Sequence, residues 1–159
     1  MNIRSARPAD RERILEILIA TARFTEDEVD AAIGLVDQGF TELGGSEYRS
    51  SVIEASDAIP SIIGYVCYGP TPRAEGVFDL YWIAVDPLWQ KSGAGTMLLR
   101  FVEDEVRSAR GRMLLIETSS KESYRPTVRF YEGCGYREIT RIKDFYRVRD
   151  DKIVFCKTL

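Results

Sequence analysis

A chain of 159 residues with 45% apolar content is long enough for one α/β core and short for two domains. Its 22 Lys and Arg stand against 25 Asp and Glu, a formal charge of -3, so no global field draws it to nucleic acid or anionic lipid, and any anion site must be local. Histidine is absent, which excludes Ser/His and Cys/His nucleophile schemes and most catalytic zinc sites and leaves proton transfer to carboxylates, Tyr or Lys.

Asn2 to Ala6 reads as a short strand. Pro8 and Asp10 then open a helix that puts Ile14, Leu15, Leu18 and Ile19 on one face. The Arg4, Arg7, Arg11 and Arg13 series through this stretch fits neither a signal peptide nor a membrane span. Thr25, with Glu28 three residues later, is a capping-box signature for a second amphipathic helix to Val36. Gly39 to Glu47 is a polar loop, and Ser51 to Ala55 and Ile62 to Tyr68 read as a hairpin.

The breaker-rich Gly69 to Gly76 leads into VFDLYWIAV, Val77 to Val85, the strongest strand pattern in the chain. Gly93 to Arg110 has helical spacing in Leu98, Val102 and Val106, beside Phe101, and stops at Gly111. Met113 to Ile116 is a continuous apolar run of the kind a buried parallel strand shows. Pro126 starts a short helix to Glu132, and Tyr136 to Lys143 and Ile153 to Lys157 make a last strand pair. No linker or repeat divides the chain, so residues 1–159 are expected to form one domain.

Gly93 and Gly95, one residue apart at the mouth of a helix, point to an anion held against backbone N–H groups. A P-loop needs four residues between its glycines, and that reading fails. A dinucleotide fingerprint needs a third glycine where Leu98 stands, although Glu117 falls where a ribose-binding acid would. The remaining pattern is Gln/Arg-x-x-Gly-x-Gly/Ala after an apolar-Ala-Val-x-Pro strand end, matched by IAVDPLWQKSGAG from Ile83 to Gly95. Further on, YRPTVRFYEGCGY from Tyr124 to Tyr136 follows the next strand.

Together these segments resemble the GNAT superfamily of N-acetyltransferases, over nearly the whole chain. With the closing DFYRVRDDKIVFCK they are similar to a subgroup found fused to, or encoded near, D-alanine ligase-like enzymes. The resemblance implies an α/β (α+β) GNAT fold, with a mixed, mostly antiparallel sheet of about six or seven strands flanked by helices. It implies acetyl-CoA as acyl donor, no metal, direct transfer to a primary amine of a small molecule or peptide, and a protein that acts in the cytosol, with a homodimer possible. The three unpaired cysteines, Cys67, Cys134 and Cys156, agree with a reducing compartment.

By the same resemblance the donor lies on the strand end Ile83, Ala84 and Val85 and on the loop Gln90, Lys91, Ser92, Gly93, Ala94, Gly95 and Thr96. Tyr124, Thr127 and Tyr131 follow at the next helix. Tyr124 and Thr127 depart from the Asn and Ala common in the family. Arg125 and Arg129 are candidates for the nucleotide phosphates. Tyr131 matches the tyrosine that protonates the departing coenzyme A sulfur, and Asp79 falls where some members carry a general-base carboxylate. Strand alternation would put Asp79, Tyr81, Ile83 and Val85 on one face.

Other roles stay open. Asp79 is equally suited to anchoring the Gly69 to Gly76 turn, Tyr131 to packing a helix on the sheet, and the glycines to capping a helix. Cys134 is rejected as an acyl carrier, since no base lies nearby to form its thiolate. A cationic acceptor is suggested by Glu28, Glu47, Glu54, Asp57 and Asp79. A non-catalytic acetyl-CoA-binding module and, behind it, a dinucleotide-binding protein are the competing functions.

Overall fold

A computed structural model describes residues 1–40, 47–56, 59 and 61–159. Most of the expected 39–47 loop, and Asp57, lie outside the described residues. The chain runs β1 (Asn2–Ser5), α1 (Arg11–Ala20), α2 (Glu26–Gly39), β2 (Arg49–Glu54), β3 (Ile62–Pro70), β4 (Val77–Val85), α3 (Ala94–Ser108), β5 (Met113–Ser119), α4 (Arg125–Gly133), β6 (Arg137–Arg147) and β7 (Asp150–Thr158). Their order across a seven-stranded sheet is β1-β2-β3-β4-β5-β7-β6, and every pairing is antiparallel except β4 with β5.

Two apolar layers sandwich this sheet. On one face Leu98, Leu99, Val102 and Val106 of α3 and Tyr131 of α4 pack on Val66, Leu80, Leu114, Ile116 and Phe155. On the other, Ile14, Ile17 and Leu18 of α1 and Val29, Ala32, Ile33 and Val36 of α2 cover Val52, Tyr65, Cys67 and Ala84. The capping box at α2 is present, with Thr25 Oγ1 accepting the Glu28 N–H at 3.3 Å and Glu28 accepting the Thr25 N–H at 2.7 Å. The core stripe of α1 falls on Ile14, Ile17 and Leu18. Ile19, expected on that face, is 61% exposed, because a helical step of 100° carries it past the covered stripe.

The last strands exceed their expected limits. β5 continues to Ser119, β6 to Arg147, and β7 begins at Asp150, because β7 lies between β5 and β6 and its ladders carry polar residues as readily as apolar ones. Tyr136, expected to open β6, is instead buried just before it.

A partly buried ion cluster ties β1 to the start of α1. Arg4 donates to Asp10 at 2.7 and 3.0 Å and to Glu54 at 2.8 and 3.0 Å, and Asp10, 6% exposed, also accepts the Arg7 N–H. Hydrogen bonds from Arg4, opposed by burial, hold the Asp10 carboxyl below the ordinary carboxylate range. Its stabilising contribution is therefore complete above the unfolded value and fades as pH falls through the lower folded one. Asp10→Asn should cost about 1–3 kcal/mol at pH 7. Denaturant unfolding of the two proteins should converge as pH falls below that range.

Candidate active site

β4 and β5 run together only from Val77 beside Met113 to Leu80 beside Ile116. Beyond that point Trp82–Val85 keep β3 as partner on one side, while β5 carries Glu117, Thr118 and Ser119 away beside β7. The divergence coincides with a bulge: Cys67 faces Trp82 and Tyr68 faces Leu80, so Tyr81 is an extra residue in β4. An inserted residue bends its strand and sharpens the local twist. A wedge opens between two parallel strands, with backbone groups of β4 on one wall.

The same bulge overturns the expected alternation. Phe78 and Leu80 share the α3/α4 face with Ile83 and Val85, whereas Asp79 lies on the opposite face, the one to which Tyr81, Trp82 and Ala84 belong. One inserted residue changes the phase of everything after it.

At the open end of β4, Asp86 accepts the Leu88 N–H at 2.9 Å and the Arg13 guanidinium at 2.6 Å, fixing a 3-10 turn over Pro87–Trp89. The Gln90 amide donates to the Val85 carbonyl, and Ser92 Oγ donates to the Trp89 carbonyl and accepts the Ala94 N–H. Both side chains shape the loop. Lys91 and Gly93 have positive φ, 64° and 91°, and α3 starts immediately afterwards. In its first turn the N–H groups of Gly95 and Thr96 have no helical carbonyl behind them, and the helix dipole adds positive potential.

The space in front of this helix end fits a phosphorylated ligand. A Cβ on Gly93 would meet nothing within 4 Å, and one on Gly95 would point between Phe130 and Val85, at 3.5 and 3.8 Å. Gly95 therefore lies between the loop, the end of β4 and α4. Beside it a groove of about 390 Å³ separates α3 from α4, with Thr96, Arg100, Arg129 and Phe130 in its walls. Arg129 lines this groove, as Glu103 does, while Arg125 is paired with Glu122 at 2.9 Å. Arg100 was not singled out from sequence; its signal is the i, i+4 spacing from Thr96, which stacks the two on one helix face.

Tyr131 is 4% exposed, its ring packed near Phe155 and Tyr136, and burial pushes its phenol up from the ordinary value. It stays protonated at neutral pH and can act as a donor. Asp79 accepts the Thr71 hydroxyl at 2.6 Å, and burial, ahead of that bond, raises its carboxyl. The bond ties it to the 69–76 turn. Tyr124 and Thr127 turn to the α1–α2 connection: Tyr124 donates to the Arg23 carbonyl at 3.1 Å, and Arg23 donates to Thr127 Oγ1 at 3.2 Å.

The candidate acidic residues divide. Glu54 belongs to the distant Arg4 cluster, Glu28 caps α2, and Glu117, the ribose ligand of the dinucleotide reading, pairs with Lys152 at 2.6 Å on the face opposite α3. Cys134 lies in the α3–α4 groove with its thiol pushed up by burial, which agrees with its rejection as a nucleophile. Among the described residues no group of His, Cys, Asp and Glu is arranged to hold a metal, and no helix is long and apolar enough to cross a membrane.

A GNAT-family protein from Desulfovibrio desulfuricans, known from its crystal structure, is 40% identical, with 99% of this chain and 98% of that one covered and a TM-score of 0.92. An aminoglycoside 6'-N-acetyltransferase solved with coenzyme A has the same fold, with a TM-score of 0.75 at 16% identity, covering 99% and 97% of the two chains. The S-(2-succino)cysteine N-acetyltransferase of Bacillus subtilis (strain 168) is 29% identical over 69 residues, 43% of this chain and 42% of that enzyme, so the match spans less than half the length of this curated relative. The acetyltransferase (GNAT) domain model matches residues 48–138, more than half of the sequence and the part that builds the wedge and the loop, and the chain belongs to the GNAT family of acetyltransferases.

Proposed function

We propose that the protein transfers the acetyl group of acetyl-CoA directly to a primary amine. The observation that carries this reading is the wedge between β4 and β5 entered past a glycine-lined helix end. Pyrophosphate fits the N–H groups from Lys91 to Thr96 at the start of α3, as other helix N-termini bind anions. Pantetheine runs past Gly95 along the free edge of Ile83, Ala84 and Val85, where it replaces the missing strand. Tyr131, protonated and on the α3/α4 face of the wedge, gives its proton to the thiolate as the C–S bond breaks.

The acceptor is a soluble small molecule or peptide amine that enters from the opposite face. A cytosolic setting is in keeping with three free cysteines, and a homodimer is compatible with this arrangement. The curated relative supports an amino acid derivative as one acceptor to try.

Acetyl-CoA at a hundred times its dissociation constant should stabilise the fold by about 2.7 kcal/mol, roughly 5–10 °C in melting midpoint. NAD should give no shift. A shift with NAD and none with acetyl-CoA overturns the assignment. A shift with acetyl-CoA but no thiol release over a panel of amines reduces the protein to a binding module.

A further inference from the structure

Residues 21–25, between α1 and α2, form a strap from β4 to the start of α4, across the open end of the wedge. The Thr21 hydroxyl donates to the Leu18 carbonyl at 2.7 Å and the Ala22 N–H to the Ile19 carbonyl at 3.0 Å, and Ala22 then turns the chain with a φ of 51°. Phe24 rests edge-on against Trp82, in the part of β4 beyond its ladder with β5, with ring centroids 5.2 Å apart. Arg23 reaches the start of α4. Its Nη1 donates to the Ser123 carbonyl and to Thr127 Oγ1, both at 3.2 Å, and its own carbonyl accepts the Tyr124 hydroxyl at 3.1 Å.

Arg23 is half-buried, both oxygens on its Nη1 are neutral, and among the described residues no carboxylate pairs with it. The carboxylates on this face each have a donor of their own. Glu28 accepts the Thr25 N–H at 2.7 Å, Asp79 the Thr71 hydroxyl at 2.6 Å, Glu117 the Lys152 ammonium at 2.6 Å, and Asp150 the Ser119 hydroxyl and the Lys121 ammonium, the latter at 3.2 Å. The bonds that hold Arg23 in place use its carbonyl and Nη1, and so leave the N–H groups of Nε and Nη2. That edge of a guanidinium takes a carboxylate in two parallel hydrogen bonds. A cation drawn partly out of water beside neutral groups gains most from a ligand of opposite charge.

We propose, on the transferase reading above, that the acceptor is a primary amine that also carries a carboxylate, and that Arg23 binds this carboxylate side-on through Nε and Nη2. Phe24 and Trp82 give the rest of the molecule an apolar wall beside the cation. Arg23 takes no part in the bond changes, so its effect falls on acceptor KM more than on kcat.

The test measures thiol release with amines matched in pairs that differ only in the carboxylate: L-methionine and L-methioninamide, L-phenylalanine and L-phenylalaninamide, β-alanine and β-alaninamide, with spermidine as a purely cationic acceptor. Rates are expressed per unprotonated amine, since the acids and amides differ in amine pKa. In the wild type the fastest acid should exceed its amide in kcat/KM by about tenfold or more. Arg23→Gln should lower kcat/KM for that acid by about ten- to a hundredfold, mainly through KM, and change its amide by less than about threefold. Arg23→Lys keeps a cation without the two-bonded fork and should fall between. The acetyl-CoA melting shift should persist in both variants. The proposal is overturned if the wild type favours the amides or spermidine, a result that needs no variant to fold, or if Arg23→Gln lowers acid and amide by one factor, which would make Arg23 a latch alone. No thiol release with any of these amines, by a wild-type protein whose melting still shifts with acetyl-CoA, overturns the transferase reading and the role of Arg23 with it.

Discussion

Gly95→Val is expected to yield a folded protein that has lost acetyl-CoA. A Cβ at this position meets Phe130 at 3.5 Å and Val85 at 3.8 Å, ordinary contact distances, and the residue lies in the first turn of α3, where valine is no worse a helix former than glycine. The melting midpoint without ligand should stay within a few degrees of wild type. On the proposed path of the donor, however, the valine methyl groups stand between the end of β4 and α4, where pantetheine passes. Affinity should fall by about a hundredfold or more, enough to erase the ligand-induced shift. Gly93→Val fails for a different reason. Its Cβ has open space, but φ of 91° places a branched residue in left-handed backbone at about 1–2 kcal/mol, so stability and binding decline together. Calorimetric titration of both variants separates the two causes. Undiminished acetyl-CoA binding by a folded Gly95→Val protein would show that the glycine loop only caps a helix.

The loop and its helix were legible because their chemistry is local: a turn, two small residues and a periodic apolar stripe occupy consecutive positions. The capping box at Thr25 and the parallel strand at Met113 were readable for the same reason. The face of Asp79 was not. Alternation holds only while a strand stays regular, and the bulge at Tyr81 is a property of the pairing with β3, whose residues lie about a dozen positions away in sequence. Glu117 was read as a ribose ligand, but its pairing with Lys152 depends on the β5–β7 register, which no single strand encodes. The hydrogen bonds that tie Tyr124 and Thr127 to Arg23 were not readable either, because their partner lies about a hundred positions away in sequence.

Tyr131→Phe isolates the proton donated to the leaving thiolate. The ring packs near Phe155 and Tyr136, with centroids 5.9 and 6.1 Å away, and phenylalanine keeps that packing, so melting temperature and acetyl-CoA affinity should be nearly those of wild type. Only the hydroxyl is lost. Because burial raises the phenol well above its ordinary value, the wild-type donor is protonated throughout the neutral and mildly alkaline range, and no alkaline decline in rate should trace to it there. In the variant the thiolate has to depart unprotonated or take a proton from water, so kcat should fall by about ten- to a hundredfold with kcat/KM falling in parallel, the pattern of an interaction made only in the transition state. Single-turnover mixing of the acetyl-CoA complex with the amine reads that step without product release. An unchanged single-turnover rate would make Tyr131 a packing residue, and a rate lost together with acetyl-CoA affinity would make it a wall of the pantetheine channel. A slow step with intact affinity would make Tyr131 the acid that serves the leaving thiolate.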